Sequence, residues 1–358
     1  MGPGEAPAAP GGFDRSRDLT TSRAGPPASR GPAKPRGGVA LALGGGAAKG
    51  WAHIGLLRAF DEAKVRITTI AGTSIGALVG GCYLAGKLDE LETFARTLTR
   101  SNILRYMDFS LRGAGLISGQ RLATRLAEKL GSTCIEDLDR GFVAVATDIR
   151  TGHEIWLHDG PLIEAMRASY ALPGVFAPIR HNGRLLVDGA LVNPVPVSVC
   201  RAYEPDVVIA VDLNSETFGR GTVIRSSHYD SHAAAAVAPD GAEPAASWWL
   251  AFLHSTSHES SPSRPDKRPI RSLLNPQVQP QSRIGLPGVM MEAFNIIQDR
   301  IARARLAGDP PDYTIRPKLY GIGLADFHKA DEAIAIGYAE AKSRIRELID
   351  QGEFETAV

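Results

Sequence analysis

The sequence contains few cysteines, and those it has lie far apart. Among its 358 residues only Cys82, Cys134 and Cys200 are cysteine. An odd, widely spaced set gives no disulfide framework, and no C-x-x-C pair typical of zinc sites is present. Clustered carboxylates or histidines that would bind a metal are also missing from the sequence. We therefore expect a reduced, intracellular protein without a metal or other cofactor.

The sequence also lacks long hydrophobic runs and an excess of either charge. No segment reaches the roughly 18 consecutive apolar residues of a membrane span. The N-terminal MGPGEAPAAP lacks the basic and apolar segments of a secretion signal. With 40 Lys and Arg against 39 Asp and Glu, the net charge is +1, which argues against a nucleic-acid partner. These absences predict a cytoplasmic protein that is soluble or peripheral at the inner membrane surface.

Two segments have compositions that are poor for a folded core. Residues 1–37 are rich in Pro, Gly, Ala and Arg, so we expect a disordered N-terminal arm. Residues 216–287 are rich in Ser, Pro, Ala, Arg and His. We interpret them as a low-complexity insert or lid within a domain that spans residues 38–350.

The insert contains one apolar island, Trp248–Leu253, which is followed by the basic residues Arg264, Lys267, Arg268 and Arg271. Aromatic residues beside cations suit a membrane interface, so one hypothesis is peripheral membrane contact through the insert. The alternatives are that the island packs over the core as part of a lid, or that it closes a subunit interface.

Apolar strand-like runs alternate with helical segments in the remaining chain. The predicted strands are Val39–Leu43, Ile67–Ala71, Phe142–Thr147, Glu154–Leu157, Leu185–Val187 and Val207–Val211. The predicted helices are Ala52–Glu62, Ile75–Ala85, Pro161–Ser169 and Asp331–Ile349. Continuous apolar strands separated by helices are typical of an α/β fold whose parallel sheet is buried on both faces.

A glycine-rich turn, Gly44–Gly50 (GGGAAKG), follows the first predicted strand. Glycine permits tight turns, and a helix N-terminus offers free N–H groups and a positive dipole end to an anion. A dinucleotide or phosphate cradle is one interpretation, but the spacing fits neither G-x-G-x-x-G nor a Walker A loop. An oxyanion hole for acyl transfer needs the same N–H groups. A turn without any ligand is the third interpretation.

A second glycine motif, Gly72-Thr73-Ser74-Ile75-Gly76, lies between the second predicted strand and helix. This is the context of a nucleophile elbow, in which flanking glycines relieve crowding in a strained turn that exposes a serine. The alternative is an ordinary serine helix cap. Both glycine motifs follow strands of one parallel sheet, so we expect them to meet at its carboxyl edge.

The base for such a serine is the least obvious residue. None of the nine histidines stands in a setting that marks it as a catalytic base. Asp188 ends an apolar strand and precedes Gly189, so it is our candidate, with an ordinary Asp-Gly turn as the alternative. Asp240 heads the same tripeptide, but it lies in the insert, where no sheet would hold it.

The glycine-rich turn, the Ser74 motif and the Asp188-Gly189-Ala190 tripeptide together resemble the patatin-like phospholipase family, specifically its bacterial branch similar to neuropathy target esterase. The similarity runs from about Gly38 to Ile349 and excludes the N-terminal arm and the insert. It also includes Arg167-Ala168-Ser169, Leu172–Pro178 and the segment from Pro310 to Pro317. The resemblance implies a three-layer α/β/α sandwich with a mostly parallel central sheet, and a Ser-Asp dyad that needs no histidine.

The resemblance also implies roles for individual residues. Ser74 is the implied nucleophile and Asp188 its base. The implied oxyanion hole consists of the backbone N–H groups of Gly44, Gly45, Gly46 and Ala47. The supporting motif positions are Lys49, Gly50, Gly72, Gly76 and Gly189. The implied substrate is a phospholipid or lysophospholipid, hydrolysed without a cofactor.

Two positions depart from the family pattern. Lys49 stands where members usually have arginine, so the charge is kept but the planar fork of donors is lost. Ala47 stands where many members have glycine, and its methyl group would be strained at a positive φ. We therefore expect the loop to keep its N–H donors with slightly altered geometry.

Three alternatives remain open at this stage. Ser74 could transfer the acyl group to an acceptor other than water, as acyltransferases with a histidine base do. An α/β-hydrolase triad could use His328. A non-catalytic regulator could bind an acyl or phosphate ligand at the glycine loop. The sequence does not give the acyl chain length or the oligomeric state.

Overall fold

The computed structural model describes residues 38–99, 120–215 and 286–352, besides the isolated Gly2. The predicted N-terminal arm apart from Gly2, and nearly all of the predicted insert, including Trp248–Leu253 and Asp240, lie outside the described residues. The strands are β1 Val39–Leu43, β2 Ile67–Thr73, β3 Gly141–Asp148, β4 Glu154–Leu157, β5 Ile179–His181, β6 Arg184–Asp188, β7 Val207–Val211 and β8 Tyr313–Ile315. The helices are α1 Ala52–Glu62, α2 Ile75–Leu84, α3 Leu88–Thr97, α4 Gln120–Leu130, α5 Leu162–Ser169, α6 Val197–Arg201, α7 Leu286–Gly308 and α8 Ala330–Asp350.

The strands form one mixed sheet in the order β5-β6-β3-β2-β1-β7-β8, with β4 also paired to β3. From β3 to β8 every neighbouring pair is parallel, which confirms the predicted parallel centre. Strands β4 and β6 instead run antiparallel to β3. The chain between β3 and β4 is only five residues long. Such a link is too short for the crossover that a parallel pair needs.

The two faces of the sheet are packed differently. Along β1, Val39, Leu41 and Leu43 point to a core shared with α1, α2 and α8. Ala40 and Ala42 point to a second cluster, which contains small side chains from α6 and α7. Because side chains alternate along a strand, both faces of β1 are buried between helices. The result is the predicted three-layer α/β/α sandwich.

Helix α1, which follows the glycine loop, is held tightly by α8. A β-carbon at Gly55 would lie 1.9 Å from the carbonyl oxygen of Ile334, and one at Gly337 would lie 2.0 Å from that of Ala52. These two glycines therefore allow the helix backbones to approach closely. Within the described ranges, no helix is both long and apolar enough to cross a membrane.

Candidate active site

The two glycine motifs meet at the carboxyl edge of the sheet, as their order in the chain predicts. Strands β1 and β2 are parallel neighbours, with Leu43 opposite Gly72. The loop after β1 therefore runs beside the turn after β2. A β-carbon at Gly45 would lie 3.5 Å from Cβ of Ser74, which is ordinary contact distance. The loop backbone is thus in direct reach of the serine.

Ser74 occupies a strained turn between β2 and α2. Its backbone has φ 57° and ψ −124°, a conformation that L-residues rarely adopt. A β-carbon at Gly72 would lie 2.5 Å from the backbone of Ala77, and one at Gly76 would lie 2.2 Å from the carbonyl oxygen of Leu43. Both flanking glycines are therefore required by close backbone approach. The side chain of Ser74 is left half-buried at the sheet edge.

A second serine, Ser169, links the turn at Ser74 to β3 through hydrogen bonds. The N–H of Ser74 donates to Oγ of Ser169 at 2.9 Å, and that hydroxyl donates to the carbonyl oxygen of Val145 at 2.6 Å. Ser169 is fully buried at the end of α5. This hydrogen-bonded chain ties the elbow to β3, the strand next to β2.

Asp188 reaches Ser74 because β2 and β6 meet end to end. On β3, Val145 pairs with Thr73 of β2, and the next residue, Ala146, pairs with Asp188 of β6. The opposite edge of β3 is taken by β4, so β2 and β6 share one edge. This arrangement brings Ser74 Oγ to 2.6 Å from Oδ2 of Asp188, to which it donates a hydrogen bond.

The carboxyl group of Asp188 is almost fully buried, with 1% of the residue exposed. Its Oδ1 accepts the N–H of Ala190 at 2.9 Å, and its backbone carbonyl accepts the hydroxyl of Thr147 at 2.8 Å. Burial disfavours the charged form and raises the pKa of Asp188 to about 7, although the hydrogen bonds from Ser74 and Ala190 lower it. Asp188 is therefore poised to exchange a proton near neutral pH.

Gly189 allows the chain to turn immediately after this carboxylate. A β-carbon there would lie 2.2 Å from the carbonyl oxygen of Val145. Any side chain would push the turn away from β3 and move Asp188 with it. The Asp-Gly pair that the sequence analysis singled out is thus needed for close packing at the site.

The N–H groups of the glycine loop divide into two pairs. Those of Gly44 and Gly45 donate to the carbonyl oxygens of Val211 and Pro194, at 3.1 and 3.0 Å. Those of Gly46 and Ala47 have no acceptor in the part of the chain that the structure describes. Of the four N–H groups predicted to form an oxyanion hole, the first pair is already occupied by backbone carbonyls, so only the second pair is available.

Ala47, which stands where many family members have glycine, has a backbone conformation that is strained for alanine. Its φ is 47°, in the left-handed region that favours glycine. The residue begins a 3-10 turn, Ala47–Trp51, that leads into α1. The structure therefore bears the strain that the sequence analysis anticipated for alanine, while the N–H group is retained.

Lys49 and Gly50 lie in the 3-10 turn after the glycine loop, where both are buried. Lys49 is only 6% exposed, and burial lowers its pKa, while the charges of Asp212 and Glu292 raise it. A β-carbon at Gly50 would lie 2.2 Å from the side chain of Ile75, so this glycine lets the turn pack against the start of α2.

No histidine bonds to Ser74 or Asp188 within the described residues. His53 is fully buried on α1, and its Nε2 donates to the carbonyl oxygen of Gly44 at 2.8 Å. Burial lowers the pKa of His53 to about 4, so the ring is neutral. His328 lies 3.9 Å from Asp326.

Sequence reasoning missed two residues that contact the loop. His53 is one of the nine histidines that the sequence pattern does not single out, and it lies nine residues after Gly44 as the second residue of α1. Asn214 was not considered, and its amide donates to the carbonyl oxygen of Gly45 at 3.2 Å. The available signal for Asn214 was a polar residue just beyond the carboxyl end of β7, where parallel α/β sheets form their sites.

Comparisons with known proteins agree on the family. The family model described as patatin-like phospholipase matches residues 41–201. An uncharacterised NTE family protein of Mycobacterium tuberculosis is 35% identical over 354 residues, which cover 92% of this chain and 96% of that protein. A patatin-like phospholipase domain-containing protein of Caenorhabditis elegans is 34% identical over 184 residues, 49% of this chain and 14% of that protein.

Among solved structures, VipD from Legionella pneumophila overlaps 87% of this chain and 67% of that chain, with 13% identity and a TM-score of 0.37. The match to the Mycobacterium tuberculosis relative extends along almost the whole of both chains, and the family match contains both Ser74 and Asp188. The chain is therefore a member of the patatin-like phospholipase family.

Proposed function

We propose that this protein is a serine lipid acyl hydrolase that cleaves a carboxylic ester of a phospholipid or lysophospholipid. The observation that carries the proposal is the 2.6 Å hydrogen bond from Ser74 Oγ to Asp188 Oδ2. It supports the proposal because a nucleophile needs a base within hydrogen-bond reach, and Ser74 also stands on a strained turn typical of nucleophiles.

In the acylation step, Ser74 Oγ attacks the ester carbonyl carbon while its proton passes to Asp188 Oδ2. The carbonyl electron pair moves onto oxygen, and the free N–H groups of Gly46 and Ala47 donate to that oxyanion. Each such donor lowers the barrier by roughly 2.7–4 kcal/mol where the hole is preorganised. Collapse of the intermediate expels the alcohol, which takes the proton back from Asp188.

In the deacylation step, water gives a proton to Asp188 and attacks the acyl-serine carbonyl carbon. The second oxyanion occupies the same position as the first. When it collapses, the bond to Ser74 Oγ breaks, the fatty acid leaves, and Oγ recovers the proton from Asp188. The raised pKa of Asp188, about 7, suits both directions of this transfer at neutral pH.

A lipid substrate is favoured by the apolar surface beside the site. Helix α7 packs against the turn Gly189–Leu191, directly after the proposed base. On α7, Val289, Met290, Ile296 and Ile297 are between 45% and 61% exposed. Pairs spaced seven residues apart share one face of a helix, so these side chains form one apolar patch. We propose that this patch contacts acyl chains or the lipid surface that delivers them.

The proposal is tested by hydrolysis of a short p-nitrophenyl ester and of a lysophospholipid. We expect Ser74→Ala to abolish release of p-nitrophenol and of fatty acid while the protein melts as the wild type does. Full turnover by Ser74→Ala on both substrates would reject the hydrolase and favour a ligand-binding regulator. Adding glycerol or a lysolipid as an acceptor separates hydrolysis from acyl transfer, because only transfer yields a new ester.

The proposed lipid contact of the α7 patch is tested with the double variant Ile296→Ser and Ile297→Ser. We expect at least about tenfold lower activity on phospholipid vesicles, because the transfer of two exposed isoleucine side chains from water into lipid contributes about 2–5 kcal/mol. Activity on the soluble ester should stay at the wild-type level, since neither side chain belongs to the reacting groups. Equal loss on both substrates would contradict a role in lipid contact.

A further inference from the structure

Three consecutive carbonyl groups of the glycine loop each accept a hydrogen bond. That of Gly44 accepts from the His53 ring at 2.8 Å, that of Gly45 from the Asn214 amide at 3.2 Å, and that of Gly46 from the Lys49 N–H at 3.1 Å. The three donors come from α1, from the segment after β7 and from the loop's own 3-10 turn.

These contacts fix the directions of the loop's N–H groups. In a planar trans peptide the carbonyl and the following N–H point in opposite directions. The carbonyl of Gly45 and the free N–H of Gly46 belong to one peptide, and only Asn214 contacts that carbonyl among the described side chains. His53 acts on the preceding peptide, whose N–H already donates to Pro194.

Asn214 is itself held in place by the sheet. Its N–H donates to Oδ1 of Asp212 at 3.0 Å, and that oxygen also accepts the N–H of Ser215 at 3.1 Å. The N–H of Asp212 in turn donates to the carbonyl oxygen of Ile315, at the end of β8. Since β7 is the parallel neighbour of β1, this turn stands directly beside the start of the glycine loop.

We propose that Asn214 is a positioning residue that aims the N–H of Gly46 at the oxyanion. This inference rests on the proposed function. The Asn214 side chain holds the peptide by its carbonyl end, and the N–H end has no acceptor among the described residues. Because an oxyanion hole works only when its donors are fixed before the reaction, loss of this contact should slow the chemical step without weakening substrate binding.

The test compares Asn214→Ala and Asn214→Asp with wild type. Alanine removes the donor, and aspartate places an acceptor against the Gly45 carbonyl. Asn182→Asp is the matched control, because it makes the same change at an exposed hairpin turn remote from the loop. The readouts are kcat and KM on a soluble p-nitrophenyl ester and the affinity for a trifluoromethyl ketone. Ser74 Oγ adds to the carbonyl carbon of that ketone, its proton passes to Asp188, and the carbonyl electron pair becomes an oxyanion on the former carbonyl oxygen.

We expect both Asn214 variants to lower kcat by about 10–100-fold, less than the loss from removing a donor outright. KM should change by no more than about twofold, and ketone affinity should fall by the same factor as kcat. Wild-type kcat and ketone affinity in Asn214→Ala, with Ser74→Ala inactive, would overturn the inference and leave the proposed function standing. Full turnover by Ser74→Ala would overturn both.

Discussion

The two halves of the site are held by different means, although both lie at one edge of the sheet. In the half that contains the proposed nucleophile, the groups proposed to react are side chains, and Ser74 and Asp188 meet because two strands end against each other on β3. In the glycine-loop half, the groups proposed to bind the oxyanion are backbone N–H groups, and the carbonyls of the same loop accept hydrogen bonds from neighbouring segments. A substitution at Ser74 or Asp188 can therefore remove a proposed reacting group. In the glycine loop a substitution leaves the backbone N–H groups in place and can change only their direction, through the residues that contact the loop.

The largest expected effect is that of Asp188→Asn, which should lower kcat without lowering the stability of the fold. Asp188→Asn keeps the shape of the side chain but removes the base, so we expect at least about a 10⁴-fold loss of kcat, by analogy with other catalytic aspartates. The same variant should be more stable than wild type at pH 8, because it no longer holds a buried carboxylate. The gain is on the order of 4 kcal/mol at most.

Activity measurements and thermal or urea unfolding at pH 8 check this prediction. A variant that loses activity and stability together would mean that Asp188 mainly supports the fold. Asp148→Asn serves as a comparison, because that aspartate is also buried but pairs with Arg184 at 2.9 Å and has a lowered pKa. The Asp148→Asn variant should be less stable than wild type at pH 8, because it removes the carboxylate that pairs with Arg184.

The second prediction concerns pH. Because the pKa of Asp188 is raised to about 7, kcat/KM should fall about tenfold per pH unit below that value, as the base becomes protonated. The contribution of Asp188 to stability runs the other way. It is fully present below pH 4, where the carboxyl group is neutral in both states, and is lost as pH rises toward 7. A pH–rate profile that is flat between pH 5 and 8 would contradict the assignment.

The third prediction tests how closely the elbow packs on the other half. Gly76→Ala would place a β-carbon 2.2 Å from the carbonyl oxygen of Leu43, at the root of the glycine loop. We expect destabilisation by about 1–3 kcal/mol, as overpacking usually costs, together with reduced activity. Gly308→Ala is the control, because nothing lies within 4 Å of its β-carbon position. Equal unfolding midpoints for the two variants would show that the elbow tolerates a methyl group.

The smallest expected effect lies in the glycine-loop half. Ala47→Gly removes the penalty of a positive φ, and we expect a stability gain of about 0.5–1 kcal/mol after the extra entropy of unfolded glycine is counted. Lys64→Gly is matched, because Lys64 has φ 53° at the end of α1. Both should raise the unfolding midpoint, but only Ala47→Gly should change kcat. Identical kcat in all three proteins would mean that the methyl group of Ala47 does not alter the direction of the N–H group at this position.

Local patterns in the sequence determined most of the framework. The runs Val39–Leu43 and Ala52–Glu62 form a strand and a helix with the predicted bounds, because apolar periodicity and glycine turns act within a few residues. The turn at Ser74 is also partly local, since a β-carbon at Gly72 would lie 2.5 Å from the backbone of Ala77, five residues along the chain. The end of an apolar strand followed by Gly189 made Asp188 the candidate base, the family resemblance implies the same role, and that role stays a prediction.

Tertiary structure decided what the patterns left open. Periodicity does not say which edge of β3 a later strand takes, and the antiparallel placement of β6 on the same edge as β2 is what brings Asp188 to Ser74. It also does not say which loop N–H groups are already bonded. That depends on carbonyls far along the chain, at Pro194 and Val211. The sequence by itself thus determined the elements and the strained turns, whereas hydrogen bonds between distant segments decided which groups face the same point in space.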